Sequence, residues 1–73
     1  MWDVAKGQYF QKLRRKAGFS QTELARAMGY RTKQAVFYVE SGRQEPSPKF
    51  RIKALECFQK RVPKIKISDI FLD

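Results

Sequence analysis

Histidine is absent from the sequence, and Cys57 is the single cysteine among its 73 residues. These absences exclude a disulfide within the chain and any ordinary zinc finger. No motif for another cofactor is present, and we expect none. A lone cysteine fits a reducing compartment, which favours a cytoplasmic protein. We expect Cys57 itself to be a small buried apolar residue.

Acidic residues are also scarce, with seven Asp and Glu against 16 Lys and Arg and a net charge of +9. Such an excess suits a partner with a dense row of phosphates, because each neutralised phosphate releases condensed counterions. Solubility alone is the alternative explanation. The few carboxylates form no metal-ligand pattern, and no nucleophile has a recognisable base. The sequence therefore argues against an enzyme.

Long apolar runs are missing as well. No stretch approaches the ~20 apolar residues of a membrane span, and residues 1–7 lack the apolar run of a signal peptide. We therefore expect no membrane association. Apolar residues still make up 42% of the chain, with six Phe, three Tyr and one Trp. This content predicts one domain over residues 1–73, near the lower size limit for a single core, so that dimerisation would add stability.

Caps and apolar spacing predict an all-α bundle of about five short helices. Asp3 caps the first helix, which runs over residues 4 to about 17. Gly7 weakens this helix near its start, so we expect a frayed first turn. Gly18 ends it.

A tight turn separates the second and third predicted helices. The Ser-Gln-Thr-Glu sequence at residues 20–23 is a capping box that opens the second helix, and Gly29 ends it. Thr32 caps a third helix that runs from residue 33 to 40 or 41. Gly42 then supplies the left-handed residue after its end.

The C-terminal third predicts a fourth helix over residues 48–59, capped by Ser47 and opened by a proline. Residues 61–67 alternate Lys and Ile after Pro63 and are expected to be extended. Ser68 caps a last short turn. The apolar side chains of this end either cover the core, which we favour, or form a dimer or partner surface: Ile65, Ile67, Ile70, Phe71 and Leu72.

Two short helices joined by a glycine-containing turn are the helix-turn-helix signature. The identities in residues 18–25, the Met28-Gly29 pair, and residues 36–40 followed by Gly42 resemble the phage repressor and Cro type of helix-turn-helix, the XRE type. Leu13-Arg14 and Pro46-Ser47 extend the resemblance over residues 10–58. It implies a lambda-repressor-like fold, a helix-turn-helix at residues 20–42, and regulation of transcription through double-stranded DNA.

The spacing between Gly29 and Glu40 is one residue longer than the commonest spacing of that family. We place the additional residue at Tyr30-Arg31, ahead of the Thr32 cap, which leaves the register of the third helix intact. An addition elsewhere would shift the base contacts by one residue.

The third helix has two distinct faces in sequence. Val36, Val39 and Glu40 define a buried face, whereas another face carries Lys33, Gln34, Phe37 and Tyr38. A solvated face seldom carries adjacent Phe and Tyr, so either these aromatics belong to the core or this face meets a partner. In the major groove, Gln34 would grip an adenine, Lys33 would donate to guanine or phosphate, and Phe37 would lie against a thymine methyl.

Further contacts are expected with the DNA backbone. Gln21 stands at the first position of the second helix, and the resemblance implies that this glutamine holds the backbone. Arg43 and Gln44 match the family's backbone-contacting loop, and Arg31 in the turn is another phosphate candidate. The predicted DNA-binding residues are Gln21, Arg31, Thr32, Lys33, Gln34, Phe37, Tyr38, Arg43 and Gln44.

The resemblance also implies an ion pair between Arg14 in the first helix and Glu40 at the end of the third, and we interpret both residues as structural. The resulting hypothesis is a homodimer on a palindromic operator, without catalysis. The alternative is an antitoxin or repression modulator of the same fold that acts mainly through a protein partner.

Overall fold

Five α-helices make up the computed structural model, which describes residues 1–71. In chain order they are α1 (Val4–Lys16), α2 (Gln21–Ala27), α3 (Gln34–Glu40), α4 (Pro48–Gln59) and α5 (Ile67–Ile70). Residues 1–71 contain no strand, and the predicted all-α bundle of about five short helices is confirmed. No helix in this range is both long and apolar enough to cross a membrane.

Local caps begin three of the helices where the sequence predicted them. Asp3, Ser20 and Ser47 each accept a hydrogen bond from the backbone N–H three residues later, at 2.9, 3.0 and 3.1 Å. Glu23 Oε1 accepts from the backbone N–H of Ser20 at 2.9 Å, which completes the capping box. These bonds satisfy N–H groups that the first turn of a helix leaves without a partner.

Aromatic rings form the centre of the core. The fully buried ring of Phe10 lies 5.8 Å from Phe50, 5.7 Å from Phe58 and 5.6 Å from Phe71, measured between centroids. These three rings bring α4 and the residue after α5 onto α1. Such tilted and stacked aromatic pairs add stability beyond the area they bury. Cys57 is also buried, as predicted.

The first turn of α1 is not frayed, and the prediction from Gly7 is wrong. Gly7 is buried because α1 crosses the end of α3 there: a Cβ on Gly7 would lie 2.4 Å from the carbonyl oxygen of Glu40. Only glycine permits that approach. Trp2 is buried beside it, and its indole Nε1 donates to the carbonyl of Val39 at 2.9 Å. The start of the chain therefore packs against the end of α3.

The third helix begins one residue later than predicted. Lys33 has helical backbone angles but precedes the first helical residue, Gln34. The Thr32 hydroxyl lies 3.4 Å from the backbone nitrogen of Gln34, a long hydrogen bond that makes Thr32 a weak cap. The end of the helix and the positive φ of Gly42, +77°, agree with the prediction.

Residues 61–64 form turns and Ile67 is helical, so the prediction of an extended segment is wrong except at Lys66, whose backbone is extended. The chain turns after α4, where the backbone N–H groups of Arg61 and Val62 donate to the carbonyl of Phe58 at 3.0 and 2.7 Å. The turn brings Arg61 Nη1 within 3.0 Å of the carbonyl oxygens of Ala17 and Gly18. Arg61 thus caps the end of α1 from a distant part of the chain.

The C-terminal segment closes the core with only some of its apolar side chains. Ile70 and Phe71 are buried, Ile65 is half-buried, and Ile67 is exposed. Ser68 is not a cap, because α5 already begins at Ile67. The predicted apolar residue Leu72 lies outside the described residues.

Candidate nucleic-acid interface

The inner face of α3 is anchored by an ion pair with α1. Arg14 Nε lies 2.6 Å from Glu40 Oε2, and Arg14 Nη2 lies 3.2 Å from Oε1. The side chains are 6% and 2% exposed, so the pair is buried. The remaining guanidinium nitrogen Nη1 donates to the carbonyl of Phe19 at 2.7 Å. Burial of the two charges is thus matched by three hydrogen bonds.

Gln21 joins the same network from α2. Its amide Nε2 donates to Glu40 Oε1 at 2.9 Å, and the side chain is half-buried. Glu40 therefore ties α1 and α2 to the end of α3. The link holds the Gln21 side chain in one orientation at the start of α2, and its contact with the DNA backbone stays a prediction.

The outer face of α3 projects into solvent. Lys33 and Gln34 are exposed, and the Phe37 and Tyr38 side chains keep 42% and 36% of their surface accessible. The two rings lie 5.8 Å apart between centroids. Neither ring belongs to the buried core, and the contact of this face with a partner stays a prediction.

The loop after α3 folds back beside this face. The backbone N–H groups of Arg43 and Gln44 both donate to the carbonyl of Tyr38, at 3.0 and 3.2 Å. The Arg43 guanidinium carbon lies 6.0 Å from the centre of the Phe37 ring. Loop and outer face therefore form one continuous exposed surface that carries a cation above an aromatic ring.

The turn between α2 and α3 is anchored on the core side. The backbone N–H of Tyr30 donates to the carbonyl of Ala25 at 2.9 Å, and Gly29 has φ +93°. The Tyr30 ring lies 6.1 Å from that of Phe50. Arg31 and Thr32 follow in an exposed bend just before α3. Tyr30 thus anchors the turn to the core, whereas Arg31 and Thr32 are exposed to solvent.

An open groove of about 480 Å³ connects the outer face of α3 to α1. Of the predicted residues it brings together Gln21, Lys33 and Phe37, while Arg43 and Gln44 lie in the loop beyond the other end of α3. Two α1 residues that the sequence reasoning did not assign to the interface also line this groove: Gln11 and Arg15. Gln11 and Arg15 are four residues apart and therefore lie on the same face of α1, which the sequence alone could have indicated.

The side chains of Glu23 and Cys57, both in the described part of the chain, have clearly shifted pKa values. Hydrogen bonds from the backbone and side chain of Ser20 hold the pKa of the exposed Glu23 carboxyl below its ordinary value. Burial raises the pKa of the Cys57 thiol, which disfavours the reactive thiolate. Across residues 1–71, no three side chains of the types His, Cys, Asp and Glu cluster as a metal site would require.

One comparison with known proteins gives a match. A family model described as helix-turn-helix matches residues 10–65, which is more than half of the chain. The matched range contains both α2 and α3 and the groove beside them. No curated protein and no solved structure gives a significant match.

Proposed function

Because the chain belongs to the helix-turn-helix family of the repressor and Cro type, it is a DNA-binding regulator of transcription, and we propose that α3 reads a specific operator in the major groove. The observation that carries this proposal is the exposed outer face of α3. The major groove admits an α-helix, and its base edges offer a distinct pattern of donors, acceptors and methyl groups for each base pair.

The polar part of this face stands at the start of α3. The side chains of Lys33 and Gln34 are exposed and make no hydrogen bond or ion pair with any residue in the range 1–71. Gln34 can therefore present its amide to N6 and N7 of an adenine without breaking a hydrogen bond within the protein. Lys33 donates to guanine or to phosphate.

The aromatic part lies one turn further along α3. Phe37 offers an apolar edge that suits the methyl group of thymine. The neighbouring Tyr38 adds a hydroxyl, and this hydroxyl has no partner in the described part of the chain. Burial against DNA would remove from water the two large side chains that the fold leaves exposed on this helix.

Backbone contacts complete the proposed interface on both sides of α3. Arg31 and Thr32 precede the helix, Arg43 and Gln44 follow it, and Gln21 is held beside it by Glu40. Phosphate contacts of this kind fix the orientation of a protein on DNA without reading its sequence. The net charge of +9 favours them.

We further propose that two copies bind one palindromic operator, with their α3 helices in successive major grooves about 34–36 Å apart. A two-fold operator matches a two-fold dimer. The protein-partner alternative predicts instead a chain that binds DNA only together with another subunit. Measurement of mass in solution, with and without DNA, separates the two arrangements.

Selection of bound sequences from a random DNA pool tests the proposal directly. A palindromic consensus is the expected result, and recovery of unrelated sequences would contradict specific binding. For 6–10 phosphate contacts, the affinity should fall by roughly 10³–10⁵ between about 50 and 200 mM salt. An affinity independent of salt would contradict the proposed backbone contacts.

A further inference from the structure

The groove between α1 and α3, called here the α1 groove, is lined by side chains from three helices and the turn before α3. Gln11 and Arg15 come from α1, residues 20–22 from the start of α2, Lys33 from the turn before α3, and Phe37 from its outer face. The groove is therefore continuous with the surface that we assign to DNA. It has a volume of about 480 Å³ and opens to solvent.

The α1 groove carries a net positive charge from Arg15 and Lys33. The side chains that line it include no carboxylate. Arg14 also reaches the groove, but its charge is neutralised by Glu40 at 2.6 Å. Arg15 and Lys33 are exposed, and neither has an ion pair or a side-chain hydrogen bond within residues 1–71.

The two adjacent arginines of α1 thus differ in what they contact. Arg14 is 5% exposed and uses its guanidinium for Glu40 and the carbonyl of Phe19. Arg15 lines a groove whose other side chains carry hydroxyl and amide groups but no carboxylate. A guanidinium with unused donors in such a place suits an anion with several acceptor oxygens, and phosphate fits a bidentate contact.

We propose that the α1 groove binds one phosphate of the DNA backbone and that Arg15 is its main contact on α1. This inference rests on the proposed function, because the phosphate arrives with the duplex that α3 reads. The interface then extends beyond the helix-turn-helix onto α1. The Thr22 hydroxyl and the Gln11 amide, both in the lining, supply further donors to the same phosphate.

The first experiment measures affinity against salt concentration for Arg15→Gln and for a matched control, Lys60→Gln. Each change removes one positive charge from an exposed side chain, but Lys60 lies at the end of α4 and lines a different cavity, next to Ala27 and Met28. We expect Arg15→Gln to weaken specific and non-specific duplexes alike. The negative slope of log K against log salt should become shallower by about 0.9, the contribution of one phosphate contact. Lys60→Gln should leave the slope nearer to that of the unmodified protein.

The second experiment locates the phosphate. A series of duplexes carries one neutral methylphosphonate at a time in the selected operator. The unmodified protein should lose affinity when one particular phosphate is neutralised, and Arg15→Gln should lose nothing further at that position. Arg15→Lys keeps the charge but not the guanidinium fork, so it should retain the salt slope and recover only part of the affinity.

The outcomes distinguish this inference from the proposed function. If no specific duplex is selected from the random pool, the proposed function fails. If a specific duplex is bound but Arg15→Gln and Lys60→Gln have the same slope, the α1 groove does not hold a phosphate. Unchanged sensitivity of Arg15→Gln to every methylphosphonate would overturn the inference in the same way. A thermal melt of each variant verifies that it is folded.

Discussion

The inner face of α3 is held by buried hydrogen bonds, whereas the side chains of its outer face form none with the rest of the described chain. On the inner face Glu40 accepts hydrogen bonds from Arg14 and Gln21, and the carbonyl of Val39 accepts one from Trp2. On the outer face no side chain forms a hydrogen bond within residues 1–71. A helix of seven residues is too short to be stable alone. The inner face therefore supplies the stability, and the outer face remains available for DNA.

The largest effect should come from removal of the shared acceptor on the inner face. Glu40→Ala leaves the buried Arg14 guanidinium without its partner and also releases Gln21. We expect a loss of about 3–5 kcal/mol in the free energy of unfolding, measured by chemical denaturation. An unchanged free energy would show that the pair does not stabilise α3. The double variant Arg14→Met with Glu40→Leu is the control, since it strands no charge and should recover much of the loss.

Gly7→Ala should have the next largest effect, because it forces α1 away from α3. The added methyl would lie 2.4 Å from the carbonyl oxygen of Glu40 and 2.7 Å from that of Val39. Overpacking of this kind costs about 1–3 kcal/mol, more than the ~1 kcal/mol that alanine gains over glycine in helix propensity. A lowered melting temperature is therefore expected. Gln8→Ala, on the exposed side of the same helix, should leave it nearly unchanged.

Gln34→Ala tests the outer face, where the expected effect is on DNA discrimination and not on folding. The free energy of unfolding should change by no more than about 0.5 kcal/mol, because the side chain is exposed and without internal partners. Discrimination at one base position should fall by about 1–3 kcal/mol. Competition binding with operators substituted at single positions measures the loss. Equal weakening on every sequence would reassign Gln34 to the DNA backbone.

The smallest expected effect concerns the capping box of α2. The pKa of Glu23 is lowered in the folded protein by its hydrogen bonds to Ser20, so its carboxylate stabilises the fold at neutral pH. The unfolded chain takes up a proton first as the pH falls below the ordinary glutamate value, and this contribution is then lost as the pH falls through the lowered pKa. Glu23→Gln keeps an acceptor for the Ser20 N–H but does not titrate. It should show a weaker loss of melting temperature between neutral and acidic pH, and an identical pH dependence would contradict this role.

Features that depend on residues close in sequence could be predicted without the structure. The caps by Asp3, Ser20 and Ser47 each involve a backbone N–H three residues away, so the sequence contains the whole interaction. Helical spacing also separates the buried valines of α3 from Lys33, Gln34, Phe37 and Tyr38, although it left open whether the two aromatic rings are exposed.

Features that depend on distant residues could not be predicted in this way. From the sequence, Gly7 predicts a weak start of the first helix. Only the structure shows that α1 crosses α3 there, so closely that residue 7 can have no side chain. The bonds of Gln21 to Glu40 and of Arg61 to Gly18 span 19 and 43 residues. Alternating Lys and Ile in residues 61–67 imitates a strand, but the described chain offers no neighbouring strand to pair with it.

The buried indole of Trp2 also provides an intrinsic fluorescence probe. It is the one tryptophan of the chain, it is 6% exposed, and it donates to the carbonyl of Val39 near the end of α3. Its emission should therefore respond to loosening of this helix end without being quenched by stacking on bases. Tryptophan fluorescence can thus show in real time whether α3 stays packed against α1 while the outer face of α3 binds an operator.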